Sequence, residues 1–180
     1  MFYISDIFTE KPNTTTTILQ KEVYNTLEKL NISFQRVETD EVITMNDCIF
    51  INKVLNMNMV KTLFLCNRQK TNFYLFIIKG DKMFHSKEFS KALGIARVSF
   101  ASAEQMEYML GTKVGAATIF SALLDKQNQI NIIMDSDVAN EKWYGCSDGT
   151  TTGYIKLLTK DIFRFLEYTS HKITIVEGLS

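Results

Sequence analysis

Residues 59–79, MVKTLFLCNRQKTNFYLFIIK, constrain the fold more than any other part of the chain. They hold two runs dense in leucine, β-branched and aromatic side chains, separated by Asn67, Arg68, Gln69 and Lys70. Such side chains suit a pleated, buried surface and the polar break suits a turn, so the stretch predicts two adjacent central strands. Lys61 is the exception within it, a cation at the mouth of the first strand. Two readings of it stand: a solvated surface lysine whose stem snorkels, or a pocket lysine.

A chain of 180 residues supports one substantial core, and a second independent domain would be unusual at this length. Lys plus Arg and Asp plus Glu both number 20, which argues against a surface that coats a polyanion over a long distance. Local contact with the end of a nucleic acid needs only a few cations. Cys48, Cys66 and Cys146 are odd in number and follow no metal-finger spacing, so a reducing compartment is expected. His85 and His171 lie far apart and in no ligand motif, so neither a catalytic metal nor any other cofactor is expected. The start of the chain carries Asp6, Glu10 and Pro12 in place of a basic-then-apolar leader, and no run approaches 18 apolar residues, which makes the cytoplasm the expected location.

Residues 1–17 read as a lead-in ending in four threonines, any of the last of which suits the cap of a helix with Ile18, Val23, Leu27 and Leu30 on one face. Asn31 stops that helix, and residues 32–37 read as a strand with Phe34 and Val37 in the core and Arg36 solvated. Residues 41–58 give a loose helical spacing through Met45, Ile49, Val54, Leu55 and Met57, either core filling or an adaptable methionine face. After the central pair come a turn at residues 80–82, a helix over 86–93 closed by Gly94, a strand over 95–100, and a capping box at Ser102 and Gln105 opening a helix that ends at Gly111.

Residues 112–119, TKVGAATI, form a run of small side chains. Such a loop brings backbone N–H groups close to a ligand, or simply lets two elements pack tightly. Residues 130–134 read as a strand ending in Asp135 and Asp137, either functional carboxylates or a turn that satisfies its own backbone. Trp143 and Tyr144 lead into residues 145–149, a flexible and polar segment, and then come a threonine-rich strand over 150–158, Thr159 as the cap of a helix, and a last strand over 172–176. The alternation of strands with short helices gives an α/β (α+β) class.

Residues 60–166 resemble the prolyl-tRNA editing proteins, the family of the YbaK-like deacylases and of the editing domain inserted in bacterial prolyl-tRNA synthetase. The resemblance lies in Lys61-Thr62-Leu63-Phe64-Leu65, YLFIIKGD from Tyr74, Arg97-Val98-Ser99-Phe100-Ala101, Leu110-Gly111 followed by Gly115-Ala116, and Asp135-Ser136-Asp137. Within the family the stand-alone alanyl-tRNA(Pro) deacylases, the PrdX-like and ProX-like members, look most similar. The fold it implies is a mixed, partly barrel-like central sheet surrounded by helices, in one editing domain over residues 18–180.

The activity it implies is hydrolysis of the ester between a wrong amino acid and the 3'-terminal adenosine of tRNA. Lys61 falls at the family's lysine, expected to engage the terminal phosphate or orient the acceptor end. Gly115, Ala116, Ala117, Thr118 and Ile119 fall on its Gly-x-x-x-Pro loop, whose backbone holds the aminoacyl carbonyl or ribose; with Lys61, Gly115 to Thr118 form the expected catalytic set. Thr62, Ile119, Asp135, Ser147 and Gly149 are the expected substrate-binding residues. The nucleophile implied is a water helped by the substrate's own 2'-hydroxyl, so no metal is needed. The implied partner is the acceptor end of tRNA, with prolyl-tRNA synthetase or an elongation factor as further partners, and neither membrane nor DNA. Two departures stand out: Ile119 replaces the family's proline, and Ser147, Asp148 and Gly149 stand where many members have His-Pro-Asn. They leave open an alternative, a weak or inactive module that binds an aminoacylated end or a small nucleotide or amino-acid ligand. A third reading makes residues 1–17 a docking arm for a partner in translation.

Overall fold

The computed structural model of the chain describes residues 1–42, 44–177 and 179, the side chain of Met45 excepted. Ser180, the last residue of the expected domain, lies outside them. Thr17 opens α1 (Ile18–Lys29) by accepting the Gln20 N–H at 3.0 Å. The buried stripe runs through Leu19, Val23 and Leu27, one helical turn apart, which leaves Ile18 exposed. In β1 (Gln35–Glu38) Val37 is buried as expected, but so is Arg36. The reason is the N-terminal segment folded along β1: the Arg36 guanidinium lies 4.6 Å from the Phe8 ring and 5.8 Å from that of Tyr24, and its Nε donates to the Glu10 carbonyl at 2.6 Å.

A capping box between Thr44 and Asp47 starts α2 (Met45–Leu55), so the weak pattern there is a helix. Ile51, Leu55 and Met57 pack with Val37 and Tyr154, while Ile49 and Val54 stay exposed. The central pair follows as read: β2 (Val60–Asn67) runs antiparallel to β3 (Phe73–Lys79). Asn67 closes the turn, its Oδ1 accepting the N–H of Thr71 at 2.8 Å and of Asn72 at 3.0 Å. Then come α3 (Ser86–Leu93), ended by Gly94, and β4 (Val98–Phe100). The Ser102–Gln105 capping box opens α4 (Ala103–Gln105), which widens into a π turn over Met106–Leu110. A 3-10 turn (Ile119–Leu123) leads to β5 (Ile130–Asp135), α5 (Ser136–Ala139), β6 (Trp143–Ser147), β7 (Gly153–Leu158), α6 (Thr159–Tyr168) and β8 (Ile173–Val176). Thr159 is the first residue of α6 and not its cap; its hydroxyl is buried without a hydrogen-bond partner among the described residues.

The strands do not form the partly barrel-like central sheet that the resemblance implies. Among the described residues they make two open sheets, a mixed five-stranded one in the order β4-β2-β3-β5-β8 and an antiparallel three-stranded one in the order β1-β7-β6. The sheets meet along the chain only at a bridge between Met59 and Gly145. A barrel needs the outer edges of the two sheets to pair as well, and among the described residues no ladder between the sheets extends beyond that bridge. The larger core fills the space between the sheets, built by Phe64, Leu75, Ile77, Ile132 and Met134 on one side and Tyr144, Cys146, Ile155 and Leu157 on the other, with α1 and α6 closing it. A second core lies on the far face of the five-stranded sheet, where Phe76 and Phe89 rings pack at 4.7 Å under α3. Among the described residues no helix is long and apolar enough to cross a membrane.

Candidate functional site

A cavity of about 470 Å³ opens where β2 begins and β3 ends. Its wall includes Asn52 and Cys48 of α2, Met57, Lys61, Asp81 and Trp143. That volume lies in the range of small-molecule sites, with apolar walls and a few polar groups. Lys61 is half-buried, and its Nζ donates to the Lys82 carbonyl. Lys79, also on the wall, pairs with Glu141 at 3.0 Å, a hydrogen bond that holds its ammonium above the usual lysine range. Burial, reinforced by the Asp47 carboxylate, pushes the Cys48 thiol up, which makes it a poor nucleophile near neutral pH.

Successive residues of a strand face opposite ways. Lys61 therefore shares its side of β2 with Leu63 and Leu65, whereas Thr62, registered opposite Ile77, shares the other side with Phe64. The 115–119 loop packs on that other side: Ile119 is fully buried in the larger core, and Ala116 is buried too. The cavity wall holds Lys61 and none of residues 115–119.

The loop has its own chemistry. Gly115 is exposed at φ +91°, a conformation side chains resist, with open space where a Cβ would point. Among the described residues the N–H groups of Gly115 and Ala117 have no partner, while that of Ala116 bonds the Lys113 carbonyl at 3.1 Å. Thr118 is fully buried; its hydroxyl accepts from Phe120 N–H at 3.4 Å and donates to Cys146 Sγ at 3.8 Å. Burial pushes the Cys146 thiol up to about 12 in spite of that contact, so it stays protonated.

The remaining expected residues sit in structural networks. Asp135 is 1% exposed, caps α5 through the Asp137 N–H at 3.0 Å and holds Lys82 at 2.7 Å. Lys82 also reaches Asp137 and the Leu179 carbonyl, each at 2.7 Å. Burial alone would lower the Lys82 pKa, but the two carboxylates outweigh it and raise it. The Ser147 hydroxyl donates to the Thr150 carbonyl at 2.6 Å and accepts the Gly149 N–H at 3.0 Å. Asp148, between them, accepts from Gln20, Tyr24 and Thr150, a buried network that composition gave no reason to expect. Among the described residues no cluster of three His, Cys, Asp or Glu side chains is arranged to hold a metal.

Residues 39–165 match the family model described as the aminoacyl-tRNA editing domain. The chain is 25% identical over 160 residues to the prolyl-tRNA synthetase associated domain-containing protein 1 of Danio rerio, covering 88% of this chain and 86% of that one. It is 22% identical over 152 residues to the prolyl-tRNA editing protein ProX of Acetoanaerobium sticklandii, covering 84% and 92%. Among solved structures, one described as a candidate trans-editing enzyme for prolyl tRNA synthetase superposes with a TM-score of 0.64 at 14% identity, covering 91% of this chain and 99% of that one. At that identity the likeness speaks for the fold alone. The family model spans well over half of the sequence, and the chain thus belongs to the aminoacyl-tRNA editing domain family, the YbaK/prolyl-tRNA synthetase-associated group that its motifs resemble.

Proposed function

We propose that the chain is a trans-editing deacylase that hydrolyses the ester of a mischarged tRNA, with alanyl-tRNA(Pro) as its preferred substrate. The observation that carries this reading is Lys61, a half-buried cation on the wall of a 470 Å³ cavity. That volume suits a terminal nucleoside bearing a small amino acid. Lys61 would exchange the Lys82 carbonyl for a phosphate, a stronger, charge-assisted contact. The N–H groups of Gly115 and Ala117, without partners among the described residues, are donors of the kind that stabilise a developing oxyanion, and because they lie on the other side of β2 from the cavity the acyl end must pass around that strand to reach them.

In this reading water, helped by the substrate's 2'-hydroxyl, adds to the ester carbonyl. The tetrahedral intermediate then expels the 3'-oxygen, which takes up a proton, and free amino acid and tRNA result. Water as the nucleophile is what the family resemblance implies, and the Cys48 thiol on the cavity wall, pushed up by burial, is a poor competitor for that role. The catalytic unit is the single domain over residues 18–180, with residues 1–17 as its lead-in. A net charge of zero concentrates contact at the acceptor end, and prolyl-tRNA synthetase or an elongation factor would supply further affinity.

The test is hydrolysis of a panel of tRNAs charged with alanine, serine, cysteine or proline. Alanyl-tRNA(Pro) is expected to turn over fastest, by roughly 10- to 200-fold over an amino acid that differs by about one methylene. No hydrolysis across the panel would overturn the reading. A second reading, a binding module without turnover, is favoured by Ser147, whose hydroxyl is committed on both sides to its own turn where many members carry histidine. Binding of a charged end with hydrolysis no faster than in buffer would establish it.

A further inference from the structure

Lys156 lies in mid-β7 and is 7% exposed. Among the described residues no carboxylate lies within 4.0 Å of its ammonium and no acceptor hydrogen-bonds it. The Lys156 stem is packed while its Nζ, which is not among the fully enclosed unpartnered side-chain atoms of the described residues, keeps contact with solvent. Its contact is instead the ring of Trp143, with Nζ 4.4 Å from the centroid. Lys142 approaches the same ring at 5.4 Å. The ring quadrupole attracts both ammonium groups and neutralises neither, which leaves them able to take an anion.

The register puts this cluster beside the Lys61 cavity. Trp143 pairs with Leu158 and Gly145 with Lys156, so Trp143, Gly145 and Lys156 share one face of the small sheet. That face carries Met57, which lies over Gly145 and lines the cavity, as Trp143 does. The indole is 42% exposed and leaves area open for another ring. An exposed aromatic flanked by unneutralised lysines is how proteins hold single-stranded nucleic acid, base on ring and phosphate on cation.

The geometry points to a second subsite in which Trp143 stacks a base and Lys156, with Lys142, holds the adjoining phosphate of a single-stranded RNA 3' end whose terminal nucleoside occupies the Lys61 cavity. The identity of that RNA as a tRNA end rests on the proposed function; the subsite itself does not. Phosphate arriving at Lys156 supplies the missing anion, and Lys142, at the edge of β6, follows it.

Trp143 is the sole tryptophan, so its fluorescence reports the subsite directly. Titration of the full chain with the trinucleotide r(CCA) is expected to quench it saturably. Lys156→Gln should weaken binding on the order of tenfold at low salt and flatten the log affinity against log salt slope by about 0.7, the value for one lost single-strand phosphate contact. Lys156→Arg should restore both. Lys142→Ala, outside the sheet core, gives the same slope change should Lys156→Gln fail to fold. Unchanged affinity and slope in these variants, or an equal quench by inorganic phosphate alone, would overturn the subsite even if the tRNA panel is hydrolysed. A lysine-dependent quench by r(CCA) with no hydrolysis of the panel would sustain the subsite and remove the deacylase reading.

Discussion

Asp148 shows how much a single buried carboxylate organises. It is 1% exposed and takes hydrogen bonds from Gln20 Nε2 at 2.9 Å, Tyr24 Oη at 2.7 Å and Thr150 Oγ1 at 2.7 Å, tying α1 to the turn between β6 and β7. Burial and then the Asp148 carboxylate push the Tyr24 hydroxyl far up, so it remains a donor at any ordinary pH. Removing the acceptor strands several buried donors at once, each costing about 1–3 kcal/mol when unsatisfied. Asp148→Ala is expected to lose about 3 kcal/mol in urea unfolding; a loss below about 1 kcal/mol would mean that water replaces the carboxylate. The network was not legible in the sequence because its members lie 124 and 128 residues apart. Lys61 and the 112–119 loop stood out because a cation among apolar residues, and a run without large side chains, are local signals.

At the scale of elements, β6 is where sequence reasoning failed. Gly145, Ser147 and Asp148 made the segment look like a flexible loop, yet residues 144–147 are buried. The polarity is deceptive because Tyr144 and Cys146 alternate into the larger core, while Gly145 leaves room for Met57 on the other face. Two glycines of this sheet differ in what they exclude. A Cβ at Gly153 would sit 2.2 Å from Oδ2 of Asp148, whose carboxylate four hydrogen bonds hold in place; at Gly145 it would meet Met57 Sδ at 2.3 Å, part of a flexible side chain. Gly153→Ala is therefore expected to cost about 3 kcal/mol and Gly145→Ala about 1 kcal/mol. The reverse order in thermal unfolding would show that Asp148 moves more easily than Met57. The hairpin of β2 and β3 was legible for the opposite reason: both strands are buried on two faces, and their apolar runs carry no mixed signal.

For the molecule as a whole, the family and the α/β class were readable, and the closure of the sheet was not. A barrel and a pair of facing sheets present the same strands and the same alternation, and differ in which strand edges pair with one another; among the described residues the two sheets share only the Met59–Gly145 bridge. The cavity with Lys61 and Trp143 lies where β2 and β6 diverge. The 115–119 loop faces the other side of β2, so a substrate that uses both must pass around the end of that strand. The most direct measurement is single-turnover hydrolysis of alanyl-tRNA(Pro) by the wild-type chain and by Lys61→Ala, with circular dichroism establishing that both are folded. Loss of Lys61 should slow the reaction by roughly 100-fold; equal rates in the two folded proteins would contradict the assignment of Lys61, and with it the cavity, to catalysis.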